Sequence, residues 1–297
     1  MICQKPPECG RRPSCRDADV KSWSCVLIGT GCDGSTRFAK VAVMKPSPEL
    51  QAALDAAAQA AGIARALFRH NIEVRIKEDK SPVTEADVRC EIAIREVLEA
   101  RFPSYGFYGE ETGSRDTNAE SLWLVDPIDG TKAFVREYPM FSTQIALMRR
   151  GEIVLGVSSA PVYGELCFAE RGCGAYLNGR PVAVSQVAAL ESAALSSGNL
   201  KTLAGGDRWA RYGALVAQVN RIRGYGDFLH YHLLAGGKID AVIESDVNIL
   251  DIAACVAIVN EAGGRFTDLD GAPITLRSTS VHATNRRLHD SVLAALG

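Results

Sequence analysis

Residues 123–131 read Trp-Leu-Val-Asp-Pro-Ile-Asp-Gly-Thr, an apolar strand that ends in two aspartates. A strand has a period of two, so Asp126 and Asp129 cannot both lie on one face of a straight strand. Pro127 lacks a backbone donor and is expected to stop the ladder and bend the chain. The bend would bring both carboxylates and the carbonyl oxygen of Ile128 around one point. An oxygen-only site of this kind suits Mg²⁺.

The two residues that follow the second aspartate favour phosphate chemistry. Gly130 lets the backbone come close to a ligand, and Thr131 is well placed to begin a helix. Amides at the start of a helix bind phosphate. The alternative is an acidic exit from a strand, in which Asp129-Gly130 forms an ordinary turn. The whole string, with cation ligands and phosphate donors side by side, favours the functional interpretation.

Three further acidic strings accompany this one. Glu110 lies in Gly109-Glu-Glu-Thr112, Asp87 follows Ser81-Pro-Val-Thr-Glu-Ala at a predicted helix start, and Asp251 begins an apolar helix after Asn248-Ile-Leu. Each has an ordinary explanation on its own. The first string could be a solvated loop, and the other two carboxylates could cap their helices.

Together the four strings resemble the inositol monophosphatase superfamily, whose pattern is a GEE loop, a DPIDGT string and a WDxAA helix start. The resemblance covers about residue 49 to the C-terminus, and Leu250 stands where the family usually has Trp. It implies an α/β (α+β layered) αβαβα sandwich, Mg²⁺ as cofactor and a homodimer. The implied metal ligands are Glu110, Asp126, Ile128 through its carbonyl, Asp129 and Asp251.

The resemblance also implies a phosphomonoesterase mechanism. Two or three Mg²⁺ ions neutralise the phosphate and stabilise the leaving oxygen. A water polarised by Glu110 and Thr131, with Asp87 supporting the activation, attacks phosphorus in line. No Cys, Ser or His nucleophile is required, because positioning and charge stabilisation supply most of the catalysis. A rival from another class is a catalytically silent binding protein on the same fold, which the presence of every matched ligand disfavours.

The substrate is predicted from residues 223–228, Arg-Gly-Tyr-Gly-Asp-Phe, and from 261–268, Glu-Ala-Gly-Gly-Arg-Phe-Thr-Asp. Both resemble the histidinol-phosphate phosphatase branch, which implies L-histidinol phosphate as substrate and a place in histidine biosynthesis. Asp227 could pair with the ammonium of that substrate, and Glu244 could hold the ammonium or a hydroxyl. The predicted substrate-binding set is Gly130, Thr131, Arg223, Gly226, Asp227 and Glu244.

Other interpretations of these positions remain open. Asp227 could serve only as the N-cap of a helix over 228–235. The substrate could then be inositol 1-phosphate, or 3′-phosphoadenosine 5′-phosphate with Trp209 and Tyr212 as stacking partners. His230 and His232 are two residues apart, so they point to different faces of a helix and are interpreted as surface or packing residues rather than a zinc site.

Composition limits the classes of partner. The chain has 297 residues, 47% of them hydrophobic, which suits about two domains or one two-part domain. Its formal net charge of −2 gives no field that attracts nucleic acid or an anionic membrane. The nine cysteines form no CxxC pair, and no signal peptide is evident. We therefore expect reduced thiols and a cytoplasmic protein.

The chain changes character at Met44. Residues 1–43 are rich in Cys, Arg, Gly and Ser and are interpreted as a disordered extension or a start-site artefact, with a targeting peptide as the alternative. Residues 44–190 are predicted to form an N-terminal α+β subdomain that carries the metal site. Residues 191–297 are predicted to form a C-terminal α/β subdomain that carries the substrate-selecting residues.

Overall fold

The structure is a computed structural model that describes residues 45–70, 73–77 and 82–297. The predictions made for residues 1–43 and for Ser81 lie outside the described residues. Within the described ranges, no helix is long and apolar enough to cross a membrane.

Helices and strands follow the alternation of apolar segments and turn residues. The helices are α1 (Pro48–Leu67), α2 (Glu85–Arg101), α3 (Thr131–Val135), α4 (Lys201–Ala204), α5 (Arg208–Gln218), α6 (Asp227–Ala235), α7 (Ile249–Glu261) and α8 (His289–Leu296). The strands are β1 (Val74–Ile76), β2 (Pro82–Thr84), β3 (Gly106–Gly109), β4 (Ser114–Arg115), β5 (Ser121–Asp129), β6 (Ser142–Arg149), β7 (Glu152–Ala160), β8 (Glu165–Glu170), β9 (Ala175–Leu177), β10 (Arg180–Val182), β11 (Ala194–Ser197), β12 (Arg221–Arg223), β13 (Ala241–Ser245), β14 (Arg265–Thr267) and β15 (Ser280–Thr284).

Two sheets organise the molecule. The first has eight strands in the order β10-β9-β8-β7-β6-β5-β3-β4, and it is antiparallel apart from the β3–β5 pair. The second has five strands in the order β12-β11-β13-β15-β14, with its β11 pairs parallel. β1 and β2 form a separate antiparallel hairpin. The predicted subdomain division near residue 190 falls between the last strand of the first sheet and the first strand of the second.

The layers alternate as the sequence predicts. α1 and α2 pack together on one side of the first sheet, against β5, β6 and β7. α6 and α7 pack between the sheets, with α7 touching β5 to β8 on one side and β14 on the other. α5 and α8 pack together on the far side of the second sheet, where their apolar residues form a cluster with β11 and β13. The αβαβα sandwich is therefore confirmed.

The central helix α7 explains why this arrangement is stable. Almost every residue from Ile249 to Val259 is buried, because both faces of the helix lie against other elements. A helix that is apolar all round belongs in the interior. The close approach of this helix depends on Gly156 of β7, because a Cβ placed there would lie 2.2 Å from the carbonyl oxygen of Ala254. The helix can therefore approach the first sheet at van der Waals distance.

The sequence predicts the long periodic elements well and the short ones poorly. The helix predicted over 49–69 is observed as Pro48–Leu67, and the strand predicted over 165–170 is observed as Glu165–Glu170. β3, β11, β15 and α8 were not predicted. β3 and β11 have four residues each, which is too short for a period of two to be distinguished from chance.

Candidate active site

The aspartate pair lies at an irregularity in the central strand, and here the expectation that Pro127 ends the ladder needs correction. β5 continues through Pro127 to Asp129. On the neighbouring strand, Gln144 pairs with Asp126 and Ser142 with Asp129, so three steps along β5 match two steps along β6. One extra residue in a strand is a β-bulge. Because of this extra residue, the side chains of Asp126 and Asp129 project from the same face of the strand, as the predicted metal site requires.

The glycine after the bulge permits a sharp change of direction. Gly130 has φ 91°, in the left-handed region, and occupies the N-cap position of α3. A Cβ there would lie 2.6 Å from the carbonyl oxygen of Met140. Thr131 begins α3, as the sequence predicts. Only glycine therefore fits between the carboxylates and the helix start.

Asp126, Asp129 and Asp251 converge from two elements. One carboxylate oxygen from each lies within 4.8 Å of the others. Asp251 is the third residue of α7, and its carboxylate accepts a hydrogen bond of 2.8 Å from the backbone N–H of Asn248. The N-cap of α7 is Asn248, so the alternative that Asp251 is itself the N-cap is wrong. Its carboxylate nevertheless contributes to a capping box, which fixes its direction.

Glu110 lies beside this cluster, on a loop that is held in place by hydrogen bonds to α2. It lies within hydrogen-bonding reach of Asp126 and pairs with Lys77 at 2.9 Å. The loop is held by Glu91, a fully buried carboxylate on α2, which accepts hydrogen bonds from the backbone N–H groups of Glu111 and Thr112 at 2.7 and 2.6 Å. The anchoring explains how a short acidic loop keeps Glu110 near the cluster.

Asp87 and Thr131, predicted to act together, are in direct contact. The Thr131 hydroxyl lies 2.8 Å from Asp87 Oδ1 and 3.0 Å from the carbonyl oxygen of Ile128. The other carboxylate oxygen of Asp87 accepts hydrogen bonds from the N–H and hydroxyl of Thr84, closing the capping box of α2. The alternative that Asp87 caps its helix is therefore observed, and the same carboxylate also contacts Thr131.

The carboxylates of the cluster repel one another, and too little positive charge lies near them to compensate. Burial, followed by repulsion from Glu110 and the other aspartates, raises the pKa of Asp126 well above its ordinary value. Burial, followed by repulsion from Asp227 and Asp251, does the same to the pKa of Asp129. Burial also raises the pKa of Asp251 to about 7. Buried like charges of this kind are stable only when a cation or protons compensate them.

Asp227 and Glu244 form a second acidic pair next to the cluster. Burial and repulsion from Glu244 raise the pKa of Asp227, and both residues repel Asp129. Asp227 is the first residue of α6, has φ 46° and follows the N-cap position, which Gly226 occupies. The alternative that Asp227 is the N-cap is therefore wrong.

Glu244 is held rigidly. Its carboxylate accepts hydrogen bonds from the Tyr231 hydroxyl at 2.8 Å and from the backbone N–H of Asn199 at 3.1 Å. His230 Nε2 lies 3.2 Å away. Burial acts to raise the pKa of Glu244, but these three contacts outweigh it, and the pKa lies below its ordinary value. Glu244 therefore stays ionised, and its orientation is set before any ligand binds.

Not every predicted residue faces the cluster. Arg223 is exposed on the edge strand β12, where its guanidinium donates to the carbonyl oxygen of Ile222. Trp209 and Tyr212 stack on each other on α5, in the outer helical layer. His230 and His232 are buried packing residues rather than surface residues.

Sequence reasoning missed several residues that shape the site. Ser142 donates a hydrogen bond of 3.2 Å to Asp129 Oδ2, and Gln144 donates one of 2.7 Å to Ser142. A signal for both was present, because polar residues at alternate positions of an apolar strand mark one polar face. Glu91 gave no such signal, since an isolated acidic residue on a helix is normally exposed.

The arrangement can hold a hard metal ion. The donors that converge are the carboxylate oxygens of Asp126, Asp129 and Asp251, and hard divalent cations bind such oxygens. A cation would also relieve the repulsion that raises the pKa values of Asp126, Asp129 and Asp251. The residues present therefore fit a metal ion. A phosphate ester bound there would meet both the metal and the start of α3.

Comparison with known proteins places this chain in a family. The model of the inositol monophosphatase family matches residues 45–297. A histidinol-phosphatase from Mycobacterium tuberculosis is 42% identical over 231 residues, which cover 76% of this chain and 88% of that protein. An inositol-1-monophosphatase from Rhizobium meliloti is 36% identical over 222 residues, covering 73% of this chain and 84% of that protein.

A solved structure agrees with these sequence matches. The extragenic suppressor protein suhB from Bartonella henselae superposes with a TM-score of 0.78 at 31% identity, covering 84% of this chain and 98% of that one. The histidinol-phosphatase and the inositol-1-monophosphatase named above are phosphoric monoester hydrolases. The chain belongs to the inositol monophosphatase family and is a phosphatase.

Proposed function

We propose that the protein is a Mg²⁺-dependent phosphomonoesterase that prefers L-histidinol phosphate. The observation that carries the substrate assignment is the Asp227 carboxylate, which is partly buried beside Glu244 and Asp129 and does not occupy the N-cap of its helix. A neutral polyol phosphate would leave that negative charge without a partner. A substrate with an ammonium group would compensate it.

The chemistry of the donors supports Mg²⁺. Glu110, Asp126, Asp129, Asp251 and the Ile128 carbonyl would hold the ions, and all of them offer oxygen. When bound, Mg²⁺ neutralises the phosphate and stabilises charge on the leaving oxygen. A site without thiolate or imidazole ligands disfavours zinc and copper.

The chain's own residues account for water activation. The Thr131 hydroxyl donates a hydrogen bond to Asp87, and its oxygen lone pair can then accept a hydrogen bond from the attacking water. Glu110 would accept the proton that this water loses. The N–H groups at the start of α3 would contact the phosphate. Positioning and charge stabilisation therefore supply the catalysis, as is usual for phosphoryl transfer.

Substrate recognition rests on two carboxylates of different character. Glu244 is ionised and fixed by Tyr231 and Asn199, which suits an ammonium or a hydroxyl. Asp227 lies at the start of α6 and would pair with the substrate cation. The 42% identity to a histidinol-phosphatase supports this assignment. The second candidate is inositol 1-phosphate, favoured by the 36% identity to an inositol-1-monophosphatase.

The test is phosphate release from L-histidinol phosphate, myo-inositol 1-phosphate and 3′-phosphoadenosine 5′-phosphate, with and without Mg²⁺. Asp227→Asn is the sharper variant, because asparagine tolerates the positive φ and keeps the shape while removing the charge. We expect KM for histidinol phosphate to rise about tenfold or more, as for the loss of a charged hydrogen bond. KM for inositol phosphate should stay nearly unchanged.

The matched control is Asp290→Asn, also at the start of a helix but on an exposed side chain paired with Arg265. This variant should leave KM unchanged for both histidinol phosphate and inositol phosphate. A preference of the wild-type protein for inositol phosphate or the nucleotide would refute the substrate assignment. Hydrolysis that does not require Mg²⁺ would refute the assignment of Mg²⁺ as the cofactor.

A further inference from the structure

A row of buried polar side chains crosses the first sheet next to the carboxylate cluster. Ser142 is the cross-strand partner of Asp129, Gln144 that of Asp126, and Ser158 on β7 that of Gln144. The alternation of a strand places these side chains on one face of the sheet. Ser142, Gln144 and Ser158 are at most 1% exposed. The proposed reaction assigns none of them a role.

Hydrogen bonds connect this row into a chain. Ser142 donates to Asp129 Oδ2 at 3.2 Å, and Gln144 Nε2 donates to Ser142 Oγ at 2.7 Å and to Ser158 Oγ at 3.0 Å. Beyond Ser158 the chain continues to His232 Nε2, at 2.8 Å.

The outer end of the chain is a carboxylate at the surface. His232 Nδ1 lies 2.8 Å from Glu165 Oε2, whose side chain is 23% exposed. The chain therefore runs from a candidate metal ligand in the interior to a solvated anchor.

The direction of each proton follows from the chemistry of the groups. Glu165 as a carboxylate only accepts, so His232 carries its proton on Nδ1. Burial lowers the pKa of His232, although the bond to Glu165 opposes this, so the ring is neutral and Nε2 accepts from Ser158. Ser158 Oγ in turn accepts from Gln144. Ser142 donates its hydrogen bond to Asp129 and must therefore accept from Gln144 Nε2, which leaves Gln144 Oε1 to face the Cys255 thiol at 3.9 Å.

The same hydrogen-bonded network joins three of the elements that carry candidate site residues. It reaches β5 through Asp129. It reaches α7 through Cys255, one helical turn after Asp251. It reaches α6 through His232, in the helix that begins with Asp227. A shift of any one element would break a buried hydrogen bond, which is costly in a low dielectric.

We propose that Ser142, Gln144, Ser158 and His232 form a positioning network, anchored by Glu165, that orients Asp129 for metal binding and fixes α6 relative to the carboxylate cluster. This inference rests on the proposed metal-dependent function. Groups that hydrogen-bond to metal ligands orient them, and losing one commonly costs 10–100-fold in affinity or activity. The effect should decrease along the network with distance from Asp129.

The test measures Mg²⁺ affinity by calorimetry and kinetics of phosphate release on the full chain. We expect Ser142→Ala and Gln144→Leu to weaken Mg²⁺ binding by about tenfold or more. His232→Leu should weaken it less and raise KM for the phosphate ester, because α6 carries Asp227. His232→Gln keeps a polar group and should partly restore the wild-type values. It also provides the test if His232→Leu fails to fold.

The matched control is Thr284→Val. Thr284 is also a buried hydroxyl 3.1 Å from a buried imidazole, that of His289, but it lies on β15 of the second sheet. It should leave Mg²⁺ affinity unchanged. The proposed network would be overturned if Thr284→Val and Gln144→Leu lost equal Mg²⁺ affinity. It would also be overturned if a folded Gln144→Leu variant bound Mg²⁺ as tightly as the wild-type protein.

A second measurement does not depend on catalysis. Long-range ¹H–¹⁵N spectra of the metal-free protein should assign the His232 proton to Nδ1, and an Nε2–H tautomer would overturn the proposed proton order. The outcomes also separate the two proposals. A protein that binds Mg²⁺ but hydrolyses none of the esters refutes the proposed function, while the affinity series still tests the network. A protein that binds neither Mg²⁺ nor Mn²⁺ refutes both.

Discussion

At the scale of single residues, the site is defined by carboxylates in an environment that does not favour their charge. Asp126 is 2% exposed and lies among Glu110, Asp129 and Asp251. In the metal-free protein, repulsion and lost hydration act against folding. The residues that suit the chemistry therefore work against stability until a cation binds. Active sites often carry this conflict.

Replacing Asp126 by asparagine should separate these two roles. We expect Asp126→Asn to abolish metal-dependent hydrolysis, yet to raise the stability of the metal-free protein at pH 8 by roughly 1–2 kcal/mol, because one buried charge is removed. Addition of Mg²⁺ should raise the melting temperature of the wild-type protein and have little effect on the variant. Thermal melts with and without Mg²⁺ measure both effects.

The interpretation would fail if the variant were less stable than the wild-type protein without metal. That result would mean that the Asp126 carboxylate contributes more through its hydrogen bond from the Ile128 N–H than it costs through repulsion.

At the scale of elements, the junction of β5 and α3 brings the two aspartates of the string together to form the site. The bulge aligns Asp126 and Asp129, and the left-handed Gly130 passes within contact distance of the Met140 backbone. Helical periodicity and the aspartate string predict the neighbouring elements. They do not predict the bulge, because which residue pairs with which depends on the partner strand.

Gly130→Ala should therefore be strongly destabilising. The substitution combines a positive φ with a Cβ 2.6 Å from a backbone oxygen, for an expected cost of about 2–4 kcal/mol. Gly151→Ala is the control, because Gly151 has φ 80° but nothing within 4 Å of an added Cβ. It should cost only about 1 kcal/mol. Urea unfolding of both variants measures the difference; equal losses would contradict the close approach.

At the scale of the whole molecule, buried histidines link stability to pH away from the site. His282 and His289 stack with ring centroids 4.0 Å apart, between the second sheet and α8. Burial lowers the pKa of His282 to about 3 and that of His289 to about 4. The cations of Arg265 and Arg286 also disfavour protonation, and Asp290 opposes them.

The direction of the pH dependence follows from these values. The unfolded chain takes up protons below about pH 6.5, whereas the folded protein does not, so each histidine removes stability as pH falls below 6.5. The slope is at most about 1.4 kcal/mol per pH unit for each histidine. Above pH 6.5 the pair contributes no pH dependence.

His282→Phe should reduce this acid sensitivity. Within the described residues neither ring nitrogen of His282 has a hydrogen-bond partner, so phenylalanine keeps the stacking and removes two unsatisfied polar atoms. We expect the variant to match or exceed the wild-type stability at pH 7, and its advantage to grow toward pH 5. Urea unfolding at both values tests this, and a pH-independent difference would contradict it.

By itself, the sequence determined a mixed α/β class and the carboxylates that could bind a metal, which follow from apolar periodicity, the glycine after Asp129 and the spacing of the acidic strings. The layered αβαβα fold and the phosphatase class were predicted from the resemblance of these strings to the inositol monophosphatase family. The resemblance to the family also assigned Asp87 and Thr131 to one role, although their direct contact is seen only in the structure.

Only the tertiary structure decided which residues support these groups. Ser158 and His232 are 74 residues apart, and Gln144 and Cys255 are 111 apart. Such contacts depend on strand register and on where α6 and α7 lie, both of which are set by packing of the whole core. The sequence therefore names the residues that perform the chemistry, while the fold determines which other residues hold them in place.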